Sequence, residues 1–155
     1  TANGQERERG FREEAEKDSR VKEIVTINVA STTEEARAAA RELILTHPEI
    51  NVIATFNEWT SLGVGWAIRD LEKKDEIFVA AFDSNAVSVG MLETGEVDAL
   101  IVQNPYAMGY LGVEKAWEIL TGRKGKEKQI DTDTTTVTRE NMFLEEYQKI
   151  LFLFD

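Results

Sequence analysis

The sequence predicts an α/β protein built around a doubly wound parallel sheet, and three observations lead there. Short apolar runs at 52–56, 77–82 and 99–102 are rich in Val, Ile, Phe and Ala, the mark of strands buried on both faces. The stretches between them place apolar residues at helical spacing. The connections are short, and the resulting order, α-β-α-β-α-β-α-β-α-β-α, winds strands and helices alternately through one sheet. No internal repeat or low-complexity tract interrupts it.

Residues 5 to about 18 form a highly charged helix with a narrow apolar stripe at Phe11 and Ala15. Residues 24–29 are the first strand candidate. Thr32 and Glu35 stand at capping-box spacing and open a helix with Ala36, Ala40, Leu43 and Ile44 inside. His47 and Pro48 end it. After the strand to Phe56, Trp59, Leu62, Gly63, Trp66 and Ile68 or Leu71 recur near helical spacing. Gly63 and Gly65 predict close packing of this helix on a strand, at a cost in helix propensity. The strand to Phe82 leads into a short helix carrying Met91 and Leu92, which Gly95 closes. Beyond the strand to Val102, Pro105 suits a first helical turn. Tyr106, Gly109, Tyr110, Val113, Trp117 and Leu120 give that helix a continuous apolar face as far as Thr121 and Gly122. A basic loop (Arg123, Lys124, Gly125, Lys126) then leads to a Thr-rich strand at 131–138 and a last helix from 140 to about 152.

The three apolar runs share a chemical feature. Each stops on one hydrogen-bonding residue: Asn57, Asp83 and Gln103. In an open α/β sheet, ligands bind beyond the carboxyl ends of the strands, so two amides and a carboxylate are expected on one rim. Carboxylates accept from hydroxyls while amides both donate and accept, which suits a neutral polyhydroxylated ligand. Asn and Asp after a strand are also ordinary turn and cap formers, but three strand ends together favour a site.

Bulk properties narrow the function. The chain of 155 residues fits one domain with a real core, and 42% hydrophobic and 30% charged residues are normal for a globular protein. A net charge of -11 argues against nucleic acid and against docking on anionic lipid. With no cysteine, disulfides and thiolate metal sites are excluded and the redox compartment stays open. His47 is the sole histidine, so no histidine cluster can serve catalysis or a metal; its place at a helix end fits a structural role. No apolar run is long enough to span a membrane, and no signal peptide is present. Thr1 in place of Met leads us to expect a mature product, an engineered piece or a fragment.

Several stretches carry a resemblance. They are Arg7 through Phe11, Thr46 through Ile50, Phe56 through Glu58, Ala81 through Asp83 and Gln103 through Tyr110, with Thr134 through Asn141 near the end. Together, and in order along nearly the whole chain, they resemble the C-terminal half of sugar-binding periplasmic binding proteins of the ribose/galactose/xylose type, the solute receptors of ABC importers. The resemblance implies a type I lobe of flavodoxin-like, three-layer arrangement across residues 1–155. It implies ligand contacts from Asn57, Asp83 and Gln103, already selected above, and adds Asn3 and Arg7, four apart on one face of the first helix. Arg suits the role because its rigid fork donates two bonds at once to ligand oxygens. It also implies a non-enzymatic receptor of a monosaccharide or similar polyol, without cofactor or metal. Its partners would be a membrane permease and a first lobe, and its place periplasmic or extracellular, with a lipid anchor in a longer parent.

Two departures from the family pattern stand out. Many members place an aromatic near Ser31 to stack on the sugar; here the segment is Ala30, Ser31, Thr32, Thr33. Trp59 is a substitute wall or, equally, a core tryptophan. The second departure is larger: the first lobe and the first strand of the second are missing. Residues 105–127 and the tail after 131 would cross toward that lobe, with Asn104, Asp131 and Thr132 as the hinge. The stripe on helix 105–121 is therefore expected to repack on its own sheet, to swap into a second copy or to pair with the complementary half, the swap being preferred of the two partnered outcomes.

Two other readings remain at this point. An effector-binding domain of a LacI-type repressor shares the fold, but no helix-turn-helix is present and the 134–141 ending suits the receptors better. An enzyme of flavodoxin-like architecture lacks support, because there is no Gly-rich phosphate loop, no nucleophile constellation and no carboxylate partner for Asp83.

Overall fold

The computed structural model describes residues 2–123 and 129–152. Along the chain run α1 (Ala2–Ala15), α2 (Thr33–Thr46), β1 (Val52–Ala54), α3 (Glu58–Leu71), β2 (Phe78–Phe82), α4 (Ala86–Thr94), β3 (Ala99–Gln103), α5 (Pro105–Leu120), β4 (Thr134–Thr138) and α6 (Glu145–Leu151). The expected basic loop lies outside the described residues beyond Arg123.

The strands form one sheet in the order β1-β2-β3-β4. β1, β2 and β3 are parallel, with Ala54 opposite Ala80 and Ala81 opposite Leu100. β4 departs from the all-parallel expectation and runs antiparallel to β3, Gln103 opposite Thr134 and Ala99 opposite Thr138. The reason is where the chain travels. It leaves β3 at Gln103 into α5, and β4 begins at Thr134 beside Gln103 itself, so the chain comes back to the sheet at the rim it left. The tail then stays with this sheet, where Val137, Met142 and Leu151 join the core.

Alternation along the strands divides the sheet into two unlike faces. Val79, Ala81, Leu100, Val102 and Val137 point to a fully buried side, where Ile68, Met91 and Leu92 complete the core. The layer of α2, α3 and α4 covers that side, α2 against α3 and α3 and α4 against β2 and β3. Phe78, Ala80, Phe82, Ile101 and Gln103 point the other way and are only half-buried or exposed. On that side α1 is held by Phe11 against the Phe56 ring, 5.9 Å between centroids, and α5 flanks a cleft.

The helix ends follow local chemistry. Thr32 accepts from the Glu35 amide at 3.2 Å, but the return half of the expected capping box is replaced, since the Thr32 amide donates to Ala30 O at 2.8 Å. His47 closes α2 through its amide to Leu43 O, Gly95 closes α4 at φ 90, and Pro105 opens α5. Residues 24–29 are the main difference from expectation: they form no ladder among the described residues, and Val25 and Ile27 are exposed. The two-residue apolar rhythm marks the faces of a strand but supplies no neighbour to pair with. Gly63 and Gly65 also serve differently, bringing α3 close to α2 and to Met91 of α4 rather than to a strand.

Candidate functional site

At the carboxyl rim of the parallel strands, three of the expected residues converge. Asp83 follows β2, Gln103 ends β3, and Arg7 reaches in from α1. The Gln103 Nε2 donates to Asp83 Oδ1. Arg7 Nη1 lies 3.9 Å from Asp83 Oδ2 and donates to Phe56 O at 2.8 Å. The guanidinium stands over the Phe82 ring, 4.7 Å from its centroid, a cation–π arrangement. Phe56 in turn packs on Phe82 with centroids 6.3 Å apart. A carboxylate that accepts, an amide and a guanidinium fork that donate, and an apolar floor of two rings make a rim of nearly balanced charge. Such a set grips hydroxyls and offers little to an ion.

Asp83 is held in the left-handed region, at φ 69. Asp tolerates this better than most residues, yet the conformation costs about 1–2 kcal/mol. Strain of this kind gathers at ligand clamps. The Asp83 amide is fixed by a bond to Ile101 O at 3.1 Å.

The other expected residues fare differently. Asn57 caps α3, its Oδ1 accepting from the Thr60 amide at 3.1 Å and from the Thr60 hydroxyl at 2.9 Å, so it plays the cap role weighed above. Asn3 shares a face of α1 with Arg7 but is exposed, without a polar contact among the described residues. Trp59 is half-buried in the first turn of α3, outside the core cluster. The core-packed tryptophan of this helix is Trp66, flanked by Arg69 at 4.7 Å and Arg37 at 6.0 Å. Asn104 caps α5 through the Ala107 amide at 2.9 Å, and Asp131 accepts from Gln129 Nε2 at 3.0 Å.

A cleft of about 1010 Å³ runs from this rim to α5. Arg7, Phe82 and Gln103 line one side, Met108, Leu111 and Lys115 of α5 another, and Asp131, Thr132 and Thr134 the exit toward β4. Sequence reasoning did not select Phe56 and Phe82. A signal was present, because each is the last residue of an apolar run before a chosen polar one, Phe56 before Asn57 and Phe82 before Asp83. Among the described residues no cluster of acidic, His or Cys side chains suits a metal, and no helix is long and apolar enough to cross a membrane.

An open, mostly parallel sheet with hydrogen-bonding side chains gathered at its carboxyl rim has the architecture of α/β sheets that take ligands beyond their strand ends. The model of the periplasmic binding protein domain matches residues 1–124, and the chain belongs to that family. It is 25% identical over 144 residues to the D-allose-binding periplasmic protein of Escherichia coli strain K12, covering 89% of this chain and 46% of that protein. Among solved structures, a carbohydrate transporter solute-binding protein from Agrobacterium radiobacter in complex with D-arabinose superposes with a TM-score of 0.86. It is 28% identical, over 95% of this chain and 50% of the other. An ABC transporter solute-binding protein from Agrobacterium vitis with bound D-fucose gives a TM-score of 0.84 at 27% identity, over 94% and 50%. The chain thus spans about half the length of the relatives it matches.

Proposed function

We propose that this chain is the ligand-gripping half of the sugar receptor of an ABC importer, binding a neutral monosaccharide or polyol without chemical change. The observation that carries the reading is the convergence of Arg7, Asp83 and Gln103 above Phe82. The relatives named above are sugar-binding and solute-binding proteins of transport systems, which supports this reading over a LacI-type effector domain and over an enzyme. In it, Asn3, Asn57 and Trp59 are outer contacts that reach the ligand on closure. Helix α5 faces a complementary lobe, or a second copy, and Asn104, Asp131 and Thr132 serve as the hinge. The closed form is what a membrane permease recognises, outside the cytoplasm, with a lipid anchor as one means of tethering.

Titration calorimetry of the protein with D-allose, D-arabinose and D-fucose tests the reading. At least one is expected to bind, and Asp83→Ala to weaken it by a hundredfold or more, because two charge-assisted bonds contribute about 1.5–3 kcal/mol each. Equal affinity in Asp83→Ala would remove the rim from the site.

A further inference from the structure

Where β1 stops, one side chain takes over its place in the sheet. Along β2 the even-numbered residues bond toward β1: the Phe78 amide donates to Asn51 O at 2.9 Å, and Ala80 O accepts from the Thr55 amide at 3.0 Å. Phe82 is next in that series, and β1 ends at Ala54. The Ser61 hydroxyl stands in its stead. Its Oγ accepts from the Phe82 amide at 3.2 Å and lies 2.8 Å from Phe82 O. The same oxygen lies 2.9 Å from Asn57 O and 2.8 Å from Thr55 Oγ1.

A serine hydroxyl has one proton and two acceptor sites. Here it accepts from the Phe82 amide and the Thr55 hydroxyl, and its own proton goes to Asn57 O or Phe82 O. The capacity of the group is filled, at 1% exposure. One oxygen therefore joins the end of β1, the cap of α3 and the end of β2. The residue after Phe82 is Asp83, in the left-handed region, and the Phe82 ring is the surface on which the Arg7 guanidinium rests.

On the reading that the carboxyl rim is the ligand site, we infer that Ser61 is a positioning residue of that site. By replacing the missing ladder bonds of β1, it fixes the Phe82 backbone and so aims the Asp83 carboxylate at Gln103 and Arg7. It touches no ligand itself. Without the hydroxyl, the Phe82 amide and carbonyl lose their shared partner, the end of β2 loosens, and Asp83 is released from its strained conformation.

The side-chain amide of Gln103 reports this without any ligand. In the NMR spectrum of the ligand-free protein, Ser61→Ala is expected to shift that amide resonance toward its position in Asp83→Ala, where the bond is absent. Ile44→Val, a core change on α2, is expected to leave it in place. With sugar added, Ser61→Ala is expected to weaken binding of whichever of D-allose, D-arabinose or D-fucose the unmodified protein takes, by about tenfold. An unmoved Gln103 resonance in folded Ser61→Ala overturns the positioning role, whatever the sugars do. A moved resonance with no sugar bound by the unmodified protein upholds the role of Ser61 and overturns the sugar reading. If Ser61→Ala does not fold, hydrogen exchange of the unmodified protein decides. The Phe82 amide is expected to exchange as slowly as that of Leu100, and rapid exchange overturns the inference.

Discussion

Helix α3 has 14 residues and α5 has 16, and each sets two glycines in an apolar background. α3 buries Ser61, Gly63, Val64, Gly65, Ala67 and Ile68, whereas α5 buries none among the described residues. The difference lies in what faces the glycines. A Cβ on Gly63 would stand 2.5 Å from Ala36 Cβ and 2.7 Å from the Arg37 amide nitrogen, so the bare backbone is what lets α2 approach. At Gly109 and Gly112 of α5 nothing lies within 4 Å. The large side chains of α5 point into the open: Tyr106, Val113, Ile119 and Leu120 are each more than 70% exposed. Tyr106 and Tyr110 stack on one another at 6.3 Å, and Arg123 covers Trp117 at 4.6 Å. The stripe does not repack on the chain's own sheet, the first of the three outcomes expected for it. An amphipathic helix announces that one face will be covered, but not by what.

The contrast can be broken first at Gly63. Gly63→Ala gains helix propensity yet drives a methyl group into the α2 backbone, and a net loss of about 1–3 kcal/mol in urea unfolding is expected. A neutral or stabilising result would show that α2 and α3 can separate at little cost, which the close approach denies.

A smaller effect is expected at Glu96, on the covered side. Its side chain is 8% exposed and accepts from Arg69 Nε at 2.7 Å. Burial pushes the carboxyl up, but the bonds from Arg69, Thr94 and backbone outweigh it and hold it below its ordinary 4.5. Asp70 is likewise held low by Arg37, against some burial, with Arg41 assisting. The unfolded chain then binds these protons more readily than the folded one. The stabilisation is complete above the ordinary carboxyl range and is lost as pH falls through the lower folded values. Glu96→Gln should cost about 1 kcal/mol at neutral pH, the difference between a charged and a neutral hydrogen bond, and less at pH 3, below the ordinary carboxyl range. Equal losses at both pH values would assign the effect to packing alone.

The smallest effect, and of opposite sign, is expected on α5. Gly109→Ala should stabilise the chain by about 0.5–1 kcal/mol, because a helical glycine is replaced where nothing obstructs a methyl group. The same change would weaken any assembly in which a lobe or second copy packs closely on this face. Light scattering with and without the substitution, across protein concentration, separates the two cases. A destabilised monomer would mean that α5 is covered by the chain itself.

Much of the fold was legible because its signals are local. A run of Val, Ile and Phe marks a strand, and Thr32, Gly95 and Pro105 mark helix ends, since each acts through bonds within a few residues of itself. Asp83 and Gln103 were legible as well, because a polar residue closing a buried parallel strand sits on the rim wherever the strand goes. Arg7 entered only through resemblance. In an Arg- and Glu-rich helix nothing distinguishes it until α1 is docked and its guanidinium meets Phe82 and the Phe56 carbonyl.

What the sequence by itself determined, then, was the succession of elements, most of their ends and the polar character of the rim. These depend on periodicity and on hydrogen bonds between near neighbours. Only the tertiary structure decided that β4 runs antiparallel, that 24–29 finds no ladder among the described residues, that Asn57 caps its helix, and that Ser61 continues the sheet where β1 stops. Each of those outcomes depends on which distant backbone groups lie side by side, and a donor or acceptor carries no local mark of the partner it will find.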